Sequence, residues 1–166
     1  MGIPTAFFGS VIVYILTRRK IPKLEFGEFF KYDHSVVTTI GVSNRITFFV
    51  SVKNINDKSE GKVKSCTGFI TAFGKSYKTI WKDNGRSKYD FNKEAFLELF
   101  YIDKDDNTIT FSNSISEKDD IETTELPYKV TEDLRIRLES DRGHCPKPKT
   151  INIGDIVNGK DTKSLE

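Results

Sequence analysis

The 166-residue chain has little of what metal and redox chemistry requires, holding one methionine, two histidines and two cysteines. A blue-copper centre needs two His, one Cys and commonly an axial Met. The sole methionine is Met1, and His144 and Cys145 are sequence neighbours rather than ligands spread along a loop. That excludes a cupredoxin. His34, His144, Cys66 and Cys145 are the right residue types for tetrahedral zinc, but no C-x-x-C or H-x-x-x-H spacing joins them. No metal and no other cofactor is expected. There is no G-x-S-x-G elbow and no glycine-rich phosphate loop, and two imidazoles leave little material for acid–base work. The chain reads as non-catalytic. The alternative is a metal-dependent or hydrolytic enzyme whose site is assembled from the two His and two Cys.

Charge is also missing from one place. No charged side chain occurs from Met1 to Thr17, and then Arg18, Arg19, Lys20 and Lys23 arrive together. A secretory signal carries its positive charge before the apolar stretch and a small-residue cleavage site after it; here the order is reversed. Ala6 stands where a myristoylation pattern needs Ser or Thr. Residues 1–20 are therefore expected to form an uncleaved transmembrane helix. The uncharged run from Gly2 to Thr17 reaches roughly 24 Å at helical rise, short of a hydrocarbon core of about 30 Å. Its aliphatic and Phe residues favour insertion by roughly 2.5–5 kcal/mol, and the flanking stems of Arg and Lys snorkel to extend the span. The basic residues all follow the span, so the chain is expected in the cell membrane as a single pass with its C-terminal domain cytoplasmic. The absence of any Asn-x-Ser/Thr acceptor agrees with that side.

About 145 residues remain, the size of one domain with one core. With four of the 26 Lys and Arg at the membrane junction, 22 are left against 24 Asp and Glu. A domain so balanced lacks the basic stripe of a nucleic-acid binder, and the junction cluster suits anionic headgroups instead.

No amphipathic helix of three turns is legible; from Arg45 the hydrophobic period is close to two, as in half-buried strands. RITFFVSVKN puts Ile46, Phe48, Val50 and Val52 on one face, with Phe49 out of step. The turn-rich NINDKSEGK then leads into VKSCTGFITAF, and the two runs are expected to pair as a hairpin. KSYKTIW aligns Tyr77, Thr79 and Trp81; KDNGRS makes a turn; FLELFYI and TITF flank the acidic DKDDN; ELPYKVTEDLRIRLES turns Leu134, Ile136 and Leu138 inward; KTINIGDIV supplies Ile151 and Ile153. The one helical candidate covers residues 93–99. This pattern predicts an all-β fold, an antiparallel β-sandwich of immunoglobulin-like type with seven to eight strands, preceded by one N-terminal transmembrane helix. The expected layout is anchor over 1–20, a connecting segment with room for a first strand over 21–43, the sandwich over 44–156 and a frayed polar tail over 157–166.

Val50-x-Val52-x-Asn54, Val63-x-x-Cys66-x-Gly68, Trp81, LELFYID and Tyr128 ahead of LRIRL together resemble the immunoglobulin-like, CARDB-related β-sandwich modules of small membrane-anchored archaeal and bacterial proteins. The resemblance spans roughly Arg45 to Ile153. It implies that Asn54 closes a hairpin and that Cys66 is a small buried residue in the next strand, and it brings no catalytic residues.

Two further features have sharp and plain readings. DKDDN begins like a calcium loop with Asp103, Asp105 and Asn107, but Thr108 and Ser114 occupy the positions that need Gly and Glu; a solvated hairpin tip fits better, as does an exposed loop for residues 117–125. Trp81 is the single candidate for a partner-contact anchor, because Trp and Arg dominate interface hot spots; its plain reading is the buried centre of a sandwich. The expected function is a membrane-anchored β module that binds or scaffolds a protein partner near the bilayer, of unspecified identity and oligomeric state.

Overall fold

The computed structural model describes residue 13 and residues 21–56, 61–105, 107–111, 123–125 and 131–166. Apart from Val13, the anchor segment with Arg18, Arg19 and Lys20 lies outside the described residues, as do Tyr128 and most of 117–125. Among the described residues no helix is long and apolar enough to cross a membrane.

Eleven strands are described, more than the seven to eight expected, and they form two sheets. They are β1 (Leu24–Thr38), β2 (Gly41–Asn54), β3 (Val63–Ala72), β4 (Lys75–Lys78), β5 (Lys88–Phe91), β6 (Glu94–Asp103), β7 (Thr108–Thr110), β8 (Thr123–Glu125), β9 (Asp133–Glu139), β10 (Lys149–Asn152) and β11 (Thr162–Ser164). A short helix, α1 (Ile153–Val157), is started by Asn152, whose side chain accepts from the Gly154 amide at 3.0 Å. One sheet runs β11-β1-β2-β6-β7-β8; the other runs β10-β9-β3-β4, with β5 also on β3. All pairings are antiparallel except β1 with β11.

Four expectations are corrected. β2 and β3 are not a hairpin: β2 pairs with β1 and β6, and β3 with β4, β5 and β9. β2 and β3 lie in different sheets, and turn formers between two strands suit that connection as well as a hairpin. The helical candidate at 93–99 is the start of β6, because Ala95, Leu97 and Leu99 are fully buried at period two. The first strand allowed for within 21–43 is present as β1, and since it pairs with β2 the sandwich begins at Leu24 rather than 44. The polar tail is ordered, its β11 lying parallel to Phe29–Lys31 with Lys163 paired to Glu28 at 2.6 Å.

The core fills the space between the layers. Phe48, Val50 and Val52 of β2 and Leu97, Leu99 and Phe100 of β6 face Cys66 and Ile70 of β3 and Leu134 and Ile136 of β9. Phe49 is buried on the opposite face of β2 from Phe48, with Thr47 and Ser51 and outside the core cluster; beside it Phe48 pairs with Phe100 but Phe49 with Glu98, so Leu99 is an extra residue in β6. At Gly68 the layers approach closely, since a Cβ there would overlap both methyl groups of Leu97.

After β4 the chain changes sheets. Thr79 still bonds the Gly68 carbonyl of β3 at 3.0 Å, whereas the Ile80 carbonyl accepts from Glu98 and the Lys82 amide donates to Phe96, both on β6 at 2.9 Å. Trp81, carried on this crossing, is completely buried and donates its indole N–H to the Cys66 carbonyl at 2.9 Å.

Candidate functional site

The β1–β2 hairpin is longer than the sandwich it belongs to. β2 is paired with β6 only as far as Arg45↔Asp103, while its pairing with β1 continues through Asn44↔Ser35, Ser43↔Val36 and Val42↔Val37 to Gly41↔Thr38. The distal part is thus a two-stranded ribbon, and at about 3.3 Å per residue it projects about 15 Å.

Its sequence, SVVTTIGVS from Ser35 to Ser43, contains no charge, in a chain where 30% of residues are charged. Three of its four aliphatic side chains are bare: Ile40 at the turn is 97% exposed, and the cross-strand pair Val37 and Val42 are 84% and 63% exposed, while Val36 is half-buried. β-branched residues keep the ribbon extended without a covering layer. Ser35 adds a 2.8 Å hydrogen bond to Asn44 Oδ1, and Thr38 bonds the Gly41 carbonyl at 2.8 Å.

A polar brace holds the base. Asp103 accepts from the Ser43 hydroxyl and lies 3.7 Å from Arg45, whose guanidinium caps the Tyr101 ring. The Asn44 amide donates to Asp105, the Lys104 amide donates to the Asn44 carbonyl at 2.8 Å, and the Lys104 ammonium pairs with Asp33. The Ser43 hydrogen bond, with the Asp105 amide and Arg45 behind it, holds the Asp103 carboxyl below its ordinary range despite partial burial. Asp103 and Asp105 thus both direct their carboxylates at the ribbon. Among the described residues no three acidic, His or Cys side chains gather as a metal site.

The other sequence candidates fall elsewhere. Trp81 cannot be a surface anchor, because every atom of it is enclosed by the sandwich, between Tyr89, Phe91 and β3. Lys23 is exposed, and its amide donates to Asn54 Oδ1. Asn54 also accepts from the Asn56 amide and donates to the Asn92 carbonyl, so it ties chain ends together at the pole where β1 begins rather than closing a hairpin. Cys66 is buried and Cys145 half-buried, and both are free thiols. Burial raises the pKa of each, with the neighbouring Cys145 adding to the rise at Cys66 and Glu139 adding to it at Cys145. Neither is an activated nucleophile.

His144 lies beside Lys23 at the pole where β1 begins, whereas His34 stacks on Tyr32 at the root of the ribbon. Eleven residues of β1 separate them, roughly 35 Å. The two His and two Cys are thus not brought to one place. A cavity of about 550 Å³ at the first pole is lined by Ile21, Lys23, Ile55, Asn56 and His144, offering one imidazole and one ammonium and no acid–base pair.

Sequence reasoning from Arg45 onward missed the ribbon. A signal existed in the nine-residue neutral run bounded by charged stretches. No protein-family model matches the chain, and no curated protein and no solved structure matches it either.

Proposed function

We propose that this protein is a membrane-anchored, non-catalytic β-sandwich that binds a protein partner through the β1–β2 ribbon, with the N-terminal segment as a single-pass anchor and the domain in the cytoplasm. The observation that carries the reading is the bare, neutral tip of a ribbon braced by the acidic loop. Solvent-exposed aliphatic side chains concentrated on one protruding element mark an interaction surface, and an extended ribbon offers main-chain groups for strand addition.

The direction of β1 supports the arrangement. It starts at Leu24, directly after the basic cluster, and runs about 45 Å to the turn at Thr39 and Ile40. A domain held at its first residues thus presents the ribbon at the far end. The order β1-β2-β6 facing β10-β9-β3 matches the A-B-E and G-F-C sets of immunoglobulin sandwiches, which supports the immunoglobulin-like reading of the fold.

Fractionation followed by co-purification from native membranes tests the proposal. The full chain is expected in the membrane fraction with a partner retained by the natural sequence and lost when Val37, Ile40 and Val42 are all changed to Asp. Full-length chain in the supernatant removes the anchor, and equal retention by the Asp variant removes the ribbon as the contact.

A further inference from the structure

We propose that the partner of the ribbon is a second copy of this chain, joined by antiparallel pairing of the two β1 edges about a two-fold axis centred on Ser35. This rests on the ribbon being the contact surface and names its occupant. The first support is the state of the edge. In β1, backbone groups point alternately toward β2 and away from it. Lys31 points away, since its carbonyl accepts from the Leu165 amide at 2.8 Å, so Asp33, Ser35 and Val37 do likewise. Among the described residues nothing bonds those outward groups. On the opposite side of the ribbon the outward groups of Asn44 are already taken by Asp105 and Lys104. Beyond Asn44, among the described residues, only the outward groups of Val42 stay open on that side, so the longer open edge of the ribbon is that of β1.

The second support is what guards the other edges. Strands at sheet borders avoid pairing with other chains by carrying charge, especially Lys. Here β4 carries Lys75 and Lys78, β5 Lys88, β10 Lys149, β11 Lys163 and β8 Glu125. Between Ser35 and Thr38 there is no such residue.

The third support is self-complementarity. Centring on Ser35 opposes Asp33 to Val37 of the other copy and His34 to Val36, so no like charges meet. Centring on Asp33 would oppose two carboxylates. A neutral run offers nothing to a charged peptide, and an anionic bilayer would call for basic residues at the tip, which the run from Ser35 to Ser43 lacks.

The test is made on the full chain in native membranes. Ser35→Cys treated with a short bis-maleimide is expected to give a covalent dimer well above the wild-type background from Cys66 and Cys145. Adding Val37→Pro removes an outward N–H without taking a bond from the ribbon, and should cut the dimer at least tenfold. Val37→Lys, which restores the guard used on other edges, should do the same and covers the case in which the proline variant fails to fold. Cross-linking no better than wild type, or insensitive to both changes at position 37, overturns the pairing. A photoreactive benzoylphenylalanine at Ile40 then separates the two readings: an adduct with a different polypeptide keeps the ribbon as a contact surface, while adducts with lipid, or none, remove that as well.

Discussion

Within β2 one strand lives in two environments. From Thr47 to Val52 every residue is buried, with β1 on one side, β6 on the other and the second sheet above. From Gly41 to Asn44 the same strand has β1 alone, and no residue is buried. Valine occurs in both halves: Val50 and Val52 are completely enclosed, Val42 largely bare. Hydrophobicity in this chain thus does not by itself decide burial. Where a second layer exists, apolar side chains close the core; where it does not, they remain available to another surface.

Substitutions in the two environments should differ in size of effect. The largest effect is expected at Trp81→Ala, which empties the centre of the body and leaves the Cys66 carbonyl without its donor. A loss of about 3–5 kcal/mol should register in chemical denaturation; a loss below 1 kcal/mol would mean that the crossing segment is not part of the core. Next comes Gly68→Ala, whose added methyl collides with Leu97; it should cost about 1–3 kcal/mol, and combining it with Leu97→Ala should recover part of that loss relative to Leu97→Ala alone.

At the border between the two environments the expected effect is local. Asp103 is held below its ordinary pKa, so its contribution is fully present above the unfolded carboxyl value of about 3.8 and is lost as pH falls through the lower folded value. Asp103→Asn should speed amide exchange over residues 41–44 severalfold near pH 6 while leaving β2 beyond Thr47 unchanged. As wild type is acidified below the carboxylate range, the difference between the two should shrink; a constant difference would show that charge on Asp103 does not brace the ribbon. The smallest effect on stability is expected from changing Val37, Ile40 and Val42 together to Ser. Unfolding should shift by no more than about 0.5 kcal/mol, and a larger loss would mean that the tip packs on the body.

Where the physics of a segment was one-sided, the sequence was legible. β9 reads as strict alternation because one face meets the core and the other water, and Leu134, Ile136 and Leu138 are inside as expected. β1 was not legible for two reasons. A register shift between Phe26 and Phe29 breaks the period that would have identified its inner face, and beyond Asp33 it has no inner face at all. β11 is polar because it borders a sheet, so composition alone made it a frayed end. Trp81 illustrates another limit. Both of its readings satisfied the sequence, and only the crossing from β3 to β6 places it inside. The brace at DKDDN was legible as an acidic loop but not as a support, since Ser43, Arg45 and Asp33 lie about sixty to seventy residues away along the chain.

The parallel attachment of β11 has a practical corollary for anyone extending the polypeptide. Because that strand travels in the same direction as β1 and the Leu165 amide is already bonded to Lys31, residues joined after Glu166 are launched toward Asp33, Ser35 and Val37. A C-terminal tag rich in β-formers would zip onto that margin and mask it, whereas a linker of glycine and proline would leave it bare.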